Sequence, residues 1–266
     1  MNTGIQAPEN IPAVVLAAGK GTRMKARSPK ATVSLGGKPM AARVIDSLRA
    51  AGITRIIAVV GHRAAEVRDA IGNHVEYVFQ GQQLGTGHAA SCAEPCLTGY
   101  EGPIVIAYAD IPLLGHGDFT DLISHHLRTG APATILTSIL EDAGTLGRIV
   151  RGPDRGVRGI VEARDATADQ SRIREINVGV YCFAAPLVFQ VLGEVSNENA
   201  QAQYYLTDAI GKLVRRGKRV EALSLNRPHA GMGVDTVEDL SRAAHLLREP
   251  DLSSSARLRG AEANAS

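Results

Sequence analysis

Short apolar runs recur along the chain, and their length and β-branched content predict buried strands. The intervening segments carry apolar residues at helical spacing, and the alternation is typical of a largely parallel sheet with helices on its faces. The predicted strands are Ala13–Leu16, Arg55–Val60, Val75–Phe79, Ile104–Tyr108, Ala133–Leu140, Val178–Phe183 and Glu221–Leu225. Gly147–Arg151 and Gly156–Val161 are predicted to form a hairpin.

The helical periodicity predicts helices over Met40–Ala51, Ala64–Ile71, His88–Cys96, Phe119–Thr129, Pro186–Val195, Thr207–Arg216 and Thr236–Leu247. Thr236 is the expected N-cap of the last helix, because Glu238 and Asp239 follow in its first turn, where acidic side chains favour the helix dipole. The segment Asp251–Ser266 lacks any periodicity and is expected to be disordered.

The first predicted strand runs into a loop rich in small residues, Leu16-Ala17-Ala18-Gly19-Lys20-Gly21-Thr22-Arg23-Met24, with Pro29-Lys30 shortly after. Glycines allow the backbone N–H groups to approach phosphate oxygens, and Lys20, Arg23 and Lys30 add positive charge. The spacing matches neither a P-loop nor a dinucleotide-binding fingerprint. The sequence therefore predicts a different phosphate-binding loop; the alternative is an ordinary turn with solvated charges.

This loop resembles the signature of sugar-1-phosphate nucleotidyltransferases, and further motifs follow in that superfamily's order. Gln80–Ala89 resembles its base-recognition loop, and Tyr108-Ala109-Asp110-Ile111-Pro112-Leu113 resembles its metal-binding segment. The remaining motifs are Gly147-Arg148-Ile149, Gly159-Ile160-Val161-Glu162, Glu175-Ile176-Asn177-Val178-Gly179 and Tyr204-Tyr205-Leu206-Thr207-Asp208. Together they are most similar to the N-terminal uridyltransferase domain of the bacterial bifunctional N-acetylglucosamine-1-phosphate uridyltransferases.

The resemblance implies an α/β, Rossmann-like fold, a mostly parallel mixed sheet flanked by helices, with a sugar-binding lobe. It implies one nucleotidyltransferase domain over residues 12–249, divided into a nucleotide-binding part (about 12–131) and a sugar-binding lobe (about 132–225). Residues 1–11 and 250–266 are then expected to be flexible tails.

Composition narrows the functional classes. The formal net charge is only +2 and the basic residues are dispersed, which argues against nucleic-acid or membrane-surface binding. Cys92, Cys96 and Cys182 form no paired metal-ligand motif, so reduced thiols in a cytoplasmic protein are expected. No apolar run approaches the ~20 residues of a membrane span, and the N-terminus shows no signal-peptide pattern.

Two carboxylates are predicted to hold Mg²⁺, which accepts one or two protein carboxylates together with phosphate oxygens and water. Asp110 follows a buried strand, at the sheet edge where open α/β folds bind ligands. Asp235 stands where the bifunctional uridyltransferases usually have Asn. Ala109 for Gly and Gln203 for Glu are further departures from that subfamily, and they leave the sugar open.

The resemblance also implies the residues that contact substrate. Arg23 and Lys30 are the predicted catalytic cations. The predicted nucleotide-binding residues are Leu16, Ala17, Ala18, Gly19, Lys20, Gly21, Gln80, Gln83, Gly85, Thr86, Tyr108 and Ala109. The predicted sugar-binding residues are Gly147, Glu162, Asn177, Tyr205 and Thr207.

The reaction implied is transfer of a uridylyl group from UTP to N-acetylglucosamine 1-phosphate, with Mg²⁺ and release of pyrophosphate. The alternatives are another sugar 1-phosphate, dTTP as donor, or a non-catalytic nucleotide-sugar-binding module. The β-helical acetyltransferase repeats of the bifunctional relatives are absent from this sequence. We therefore expect no acetyltransferase activity, and a monomer or dimer rather than their trimer.

Overall fold

A computed structural model describes residues 11–21, 24 and 28–248. The predicted tail at 250–266 lies outside these residues, as do residues 1–10 of the other predicted tail. Ile11, which the sequence assigned to the N-terminal tail, is instead buried in the core at 4 % exposure. It lies two residues before the first strand, with Pro12 between them.

The strands of the described region form one mixed sheet and a small hairpin. In the sheet the strands are β1 (Ala13–Ala17), β4 (Ile56–Val60), β5 (Glu76–Phe79), β6 (Pro103–Tyr108), β7 (Ala133–Ile139), β8 (Arg148–Arg151), β9 (Val157–Val161), β10 (Glu175–Ala184) and β11 (Val220–Ser224). The hairpin pairs β2 (Ser34–Leu35) with β3 (Lys38–Pro39), which periodicity did not predict.

The main path through the sheet runs β11-β7-β10-β6-β1-β4-β5. β1 is parallel to β4 and β6, β4 is parallel to β5, and β11 is parallel to β7. A strand that is buried on both faces of a sheet has a continuous apolar sequence. β4 is an example, because all five residues of its sequence Ile-Ile-Ala-Val-Val are buried. The prediction of a mostly parallel mixed sheet is confirmed.

β10 is the exception to the parallel order. It lies antiparallel between β6 and β7, and its first half also pairs with β8. β8 and β9 form the predicted hairpin. The register of β10 against β7 shifts between Asn177 and Tyr181, a bulge that redirects the side chains at this point.

The helices cover both faces of the sheet. They are α1 (Met40–Ala50), α2 (Ala64–Ile71), α3 (Thr86–Ser91), α4 (His116–Thr129), α5 (Ala168–Ser171), α6 (Ala185–Leu192), α7 (Leu206–Arg215) and α8 (Val237–Leu246). One aliphatic cluster packs α1, α2 and α4 on one face of the sheet, and another packs α3, α6 and α7 on the other. None of these helices is long and apolar enough to cross a bilayer.

The helix predicted over His88–Cys96 is wrong in extent. α3 ends at Ser91, and a separate 3-10 helix spans Glu94–Leu97. Pro95 has no backbone N–H and cannot continue the α-helical ladder, which explains the break. Cys92 and Cys96 therefore do not share one α-helical face, although both pack against the same core cluster.

The predicted N-cap of the last helix is confirmed. The Thr236 hydroxyl accepts a hydrogen bond from Asp239 N at 3.0 Å, and Asp239 Oδ2 accepts one from Thr236 N at 2.9 Å. This reciprocal capping box satisfies two N–H groups that the helix leaves unpaired. It also fixes the path of the chain next to Asp235.

Candidate active site

The described residues enclose a cavity of about 560 Å³ that includes the carboxyl ends of β1 and β6. This edge is where open α/β sheets bind ligands. The cavity brings together most of the predicted site residues: Leu16, Ala18, Gly19, Lys20, Gly21, Lys30, Gln80, Gln83, Gly85, Thr86, Tyr108, Asp110, Gly147, Glu162, Asn177 and Asp235.

Four of the described site residues do not line this cavity. Ala17 and Ala109 line a smaller adjoining cavity of about 60 Å³, together with Lys30 and Asp110. Tyr205 and Thr207 are buried and line neither cavity. Arg23 lies outside the described residues.

The glycine loop is shaped to receive Lys30. Gly21 has φ +65°, and a Cβ added to it would stand 2.5 Å from Lys30 Cβ. A larger residue would therefore displace the lysine. At Gly19 an added Cβ would meet nothing within 4 Å, so this part of the loop is open toward the cavity.

Lys30 joins the two predicted metal ligands. Its ammonium donates hydrogen bonds to Asp110 Oδ2 and Asp235 Oδ1. Asp110 comes directly after Ala109 at the end of β6, and Val234 N donates to the Asp110 carbonyl at 2.9 Å. This backbone bond holds the segment before α8 against the end of β6. Two carboxylates far apart in sequence thereby meet at one point.

The charge of this cluster is set by opposing effects. Burial alone would lower the pKa of Lys30, but the Coulombic attraction and hydrogen bonds of Asp110 and Asp235 outweigh it. The pKa of Lys30 is therefore held above its usual value, and the residue is a cation at neutral pH.

The donor set fits a magnesium ion bound with a phosphorylated substrate. Both carboxylates reach the same nitrogen, so both can reach one small cation, and their side chains are 27 % and 20 % exposed. Mg²⁺ is commonly held by one or two carboxylates with substrate phosphates and water completing its shell. Among the residues described, no group of three or more His, Cys, Asp or Glu side chains is placed to hold a metal.

The predicted base-recognition loop is organised by its own side chains. Gln80 is 2 % exposed, and its amide donates to the Gly85 carbonyl at 3.1 Å and lies 2.9 Å from His88 Nδ1. Gln83 donates to the Gln80 carbonyl at 3.1 Å. Two amide side chains thus fix the loop through their N–H groups. The side-chain oxygen of each amide retains acceptor capacity for a ligand.

The loop is also clamped to the start of α7. Gly87 N donates to the Tyr204 carbonyl at 2.7 Å, and Tyr204 N donates to the Leu84 carbonyl at 2.8 Å. Leu206 N donates to the Thr86 hydroxyl at 3.0 Å. The Thr86 side chain therefore already has a protein partner, which the sequence prediction did not foresee.

Gly85→Ala is expected to disrupt this clamp. Gly85 has φ +119° and ψ 175°, a conformation that is essentially restricted to glycine and costs other residues about 1–3 kcal/mol. An added Cβ would stand 2.4 Å from the Tyr204 carbonyl oxygen. We expect a lower melting temperature by several degrees and weaker nucleotide binding, measured by differential scanning fluorimetry with and without UTP.

Gly81→Ala is the matched control in the same loop. Its φ is ordinary, and the nearest neighbour of an added Cβ is Phe79 Cε1 at 3.9 Å. Equal losses of melting temperature and of nucleotide binding in the two variants would refute the specific role of Gly85.

The other side of the cavity carries a carboxylate and an amide. Glu162 directly follows β9, and its Oε1 accepts a hydrogen bond from the Thr207 hydroxyl at 2.8 Å. Burial raises the pKa of Glu162, the Thr207 hydrogen bond opposes this, and Asp208 and Asp165 add to the rise.

Asn177 lies at the bulge in β10. Its amide donates to the Tyr181 hydroxyl at 2.7 Å, and its Oδ1 accepts from Gly179 N at 3.1 Å. Asn177 N donates to the Gly147 carbonyl at 2.8 Å, which brings Gly147 to the same wall. The side chain is 7 % exposed and is held in one orientation by these bonds.

Several residues of the cavity wall received no contact role from the sequence, although Ala89, Ile111, Val178 and Gly179 lie within its motifs. They are Ala89, Ile111, Thr145, Leu146, Val178, Gly179, Gln203 and Gly233. Gly179 carried a usable signal, because a glycine inside a strand marks a close approach. It has φ +86°, and an added Cβ would stand 2.5 Å from Tyr108 Cδ2. Thr145 and Leu146 stand before the predicted hairpin and carry no local signal.

The arrangement places a fixed cation and two carboxylates in one cavity with polar hydrogen-bonding groups. A site of this kind can bind an anionic, multiply hydroxylated ligand and neutralise charge on its phosphates. The described lining of the cavity contains no cysteine and no histidine that could serve as a nucleophile.

Comparisons with known proteins identify the family of this chain. Residues 13–176 match the family of MobA-like NTP transferase domains. The bifunctional protein GlmU of Exiguobacterium sibiricum is 42 % identical over 237 residues, which is 89 % of this chain and 53 % of that protein. The bifunctional protein GlmU of Acetivibrio thermocellus is 40 % identical over 240 residues, 90 % of this chain and 52 % of that protein.

This chain therefore spans about half the length of the curated relatives it matches. A solved structure of UDP-glucose pyrophosphorylase with UDP-glucose superposes with a TM-score of 0.70, at 20 % identity, over 90 % of this chain and 98 % of that chain. This similarity confirms the predicted α/β fold. The match over residues 13–176 covers more than half of the chain, and the protein belongs to the family of MobA-like NTP transferase domains.

Proposed function

We propose that this protein transfers a uridylyl group from UTP to N-acetylglucosamine 1-phosphate, giving UDP-N-acetylglucosamine and pyrophosphate. The observation that carries the proposal is the convergence of Lys30, Asp110 and Asp235 in the same cavity as Glu162 and Asn177. The family membership supports nucleotidyl transfer, and the motif resemblance to the bifunctional uridyltransferases supports the choice of substrates.

The reaction is an in-line displacement. A phosphate oxygen of the sugar 1-phosphate attacks the α-phosphorus of UTP, and the bond to the β-phosphate oxygen breaks, releasing pyrophosphate. The attacking group is already an anion, so alignment and charge neutralisation are the main requirements. Lys30 supplies a positive charge beside the glycine loop, and Arg23 is proposed to supply a second.

Asp110 and Asp235 would hold Mg²⁺, which when bound neutralises phosphate charge and helps to align the reacting groups. Lys30 must give up at least part of its contact with the carboxylates when such a complex forms. Its long, flexible side chain then reaches toward the phosphates that lie above the Gly19–Gly21 loop.

Base and sugar are proposed to bind to separate groups of the cavity wall. The oxygens of Gln80 and Gln83 are acceptors suited to the imide N–H of uracil. Glu162 accepts hydrogen bonds from sugar hydroxyls, while Asn177 and the backbone of Gly147 contact the sugar ring. Ala17 and Ala109 line the adjoining smaller cavity. They are proposed to support nucleotide binding through their backbone groups and their packing.

Pyrophosphate release tests this proposal. The purified protein is incubated with UTP or dTTP and, in turn, N-acetylglucosamine 1-phosphate, glucose 1-phosphate and galactose 1-phosphate, with Mg²⁺ or with EDTA. We expect the fastest release with UTP and N-acetylglucosamine 1-phosphate, and none with EDTA. A faster reaction with another sugar would correct the substrate and leave the reaction class unchanged.

A non-catalytic module gives a different result in the same experiment. It would shift the melting temperature with UTP or UDP-N-acetylglucosamine but release no pyrophosphate with any sugar 1-phosphate. The expected monomeric or dimeric state stays a prediction, and light scattering after size-exclusion chromatography measures it directly.

A further inference from the structure

Thr207 is buried at 1 % exposure and lines no part of the cavity, although the sequence predicted a sugar contact for it. It is the second residue of α7, and its hydroxyl donates to Glu162 Oε1 at 2.8 Å. The side chain is therefore directed at another site residue rather than at the ligand space. This contact joins α7 to the residue that follows β9.

Glu162 itself lines the cavity and has one oxygen committed to Thr207. Its second oxygen, Oε2, lies on the side of Gly147, 3.5 Å from where a Cβ on that residue would stand. A carboxylate has about four acceptor positions, so Glu162 keeps acceptor capacity toward the cavity after binding Thr207. The Thr207 contact therefore favours one orientation of the carboxylate.

The position of Thr207 is in turn fixed by the loop on the nucleotide side of the cavity. Tyr204 exchanges backbone hydrogen bonds with Leu84 and Gly87, and Leu206 N donates to the Thr86 hydroxyl. The segment Tyr204–Thr207 thus contacts the predicted base loop at one end and Glu162 at the other. This short segment therefore links the two halves of the site through hydrogen bonds at both of its ends.

We propose that Thr207 is a positioning residue that orients the Glu162 carboxylate for hydrogen bonding to the sugar 1-phosphate, with its own place set by the base loop. The proposal rests on the proposed function, because it assigns a sugar phosphate to the Glu162 side of the cavity. It replaces the direct sugar-binding role that the sequence predicted for Thr207.

Thr207→Val tests this role, because it removes the hydroxyl and keeps the shape. We expect the KM for the sugar 1-phosphate to rise about tenfold, the effect of losing one hydrogen bond to a charged group. The kcat and the KM for UTP are expected to change little, since the loss affects ground-state and transition-state sugar binding alike. Thr207→Ser, which keeps the hydroxyl, should restore most of the sugar affinity.

A double-mutant cycle with Glu162→Ala separates positioning from direct contact. If Thr207 acts through Glu162, Thr207→Val should have no further effect in the Glu162→Ala background. Additive effects would overturn the proposal and assign Thr207 a direct contact. Thr134→Val is the matched control, because Thr134 is fully buried and pairs with His126 outside the cavity; its KM values should equal those of the unmodified protein.

The same double-mutant cycle can be measured without turnover. Isothermal titration calorimetry gives the affinity of each variant for N-acetylglucosamine 1-phosphate in the presence of UDP. Binding without pyrophosphate release would refute the proposed catalysis and still measure the coupling of Thr207 to Glu162. Turnover with additive substitutions would refute only the positioning role. Absence of both binding and turnover would overturn both proposals.

Discussion

Asp110→Asn is expected to lower kcat by about three orders of magnitude, because a catalytic metal supplies several kcal/mol of transition-state stabilisation. The asparagine keeps the shape of the side chain and removes the negative charge at Asp110, which is the carboxylate that the metal-binding motif supplies in this prediction. Pyrophosphate release measured across a Mg²⁺ titration should show both a lower maximum and a higher Mg²⁺ requirement. Unchanged Mg²⁺ dependence would remove Asp110 from the metal site.

Asp235 offers a matched pair of substitutions for the same question. Asp235→Ala removes the second oxygen ligand and should reduce turnover by a comparable amount. Asp235→Asn should be mild, since the bifunctional uridyltransferases that the motifs resemble usually have Asn at this position. A normal Mg²⁺ dependence of Asp235→Ala would show that the residue serves only to hold Lys30.

Each of these variants also removes a partner of the buried Lys30, so folding has to be measured separately. Lys30 contacts both carboxylates, and its side chain is only 13 % exposed. Removing one of the two carboxylates weakens the pairing of this largely buried ammonium, which lowers the free energy of unfolding. A melting temperature within a few degrees of the unmodified protein shows that the loss of turnover does not arise from unfolding.

Lys30→Ala is expected to lower kcat by about 10²–10³-fold, the loss typical for one preorganised electrostatic group. In the proposed mechanism the ammonium stabilises charge that develops on the pyrophosphate leaving group, so kcat should fall more than affinity for the sugar phosphate. Steady-state kinetics with each substrate varied in turn separates the two effects. Arg23, which lies outside the described residues, is predicted from sequence to show the same pattern.

Lys38→Ala is the control for Lys30→Ala. Lys38 lies on β3, outside the cavity wall, and pairs with Asp46 in an exposed ion pair. Exposed pairs contribute about 0–1 kcal/mol, so this variant should keep its kcat and nearly all of its stability. A kcat of Lys30→Ala equal to that of Lys38→Ala would remove Lys30 from the proposed mechanism.

The sequence alone predicted the elements whose signals are local. The all-apolar run of β4 and the Thr236 cap with its acidic first turn depend on a few neighbouring residues, and both were placed correctly. The glycine loop after β1 and Asp110 after β6 were located for the same reason, since their positions follow from where a buried strand ends. The predicted domain limits at 12–249 stay a prediction.

The hydrophobic periodicity gave a wrong helix boundary where a proline interrupted the helix. It also could not predict which strands pair with each other in the sheet. It predicted one helix from His88 to Cys96. In the structure Pro95 interrupts the α-helical hydrogen bonds, and a separate 3-10 helix follows α3. It also carried no information on the antiparallel insertion of β10 between β6 and β7, because strand order depends on long-range packing.

The site itself divides in the same way. Residue types and motifs predicted that Lys30, Asp110, Asp235 and Glu162 lie in one site, and the structure places all four in the lining of one cavity. Only the tertiary structure decided that Lys30 bridges carboxylates 80 and 205 residues away, and that Thr207 contacts Glu162 rather than the cavity. Hydrogen-bond partners this distant in sequence are chosen by how the sheet and its helices pack, and no local pattern of side chains encodes that choice.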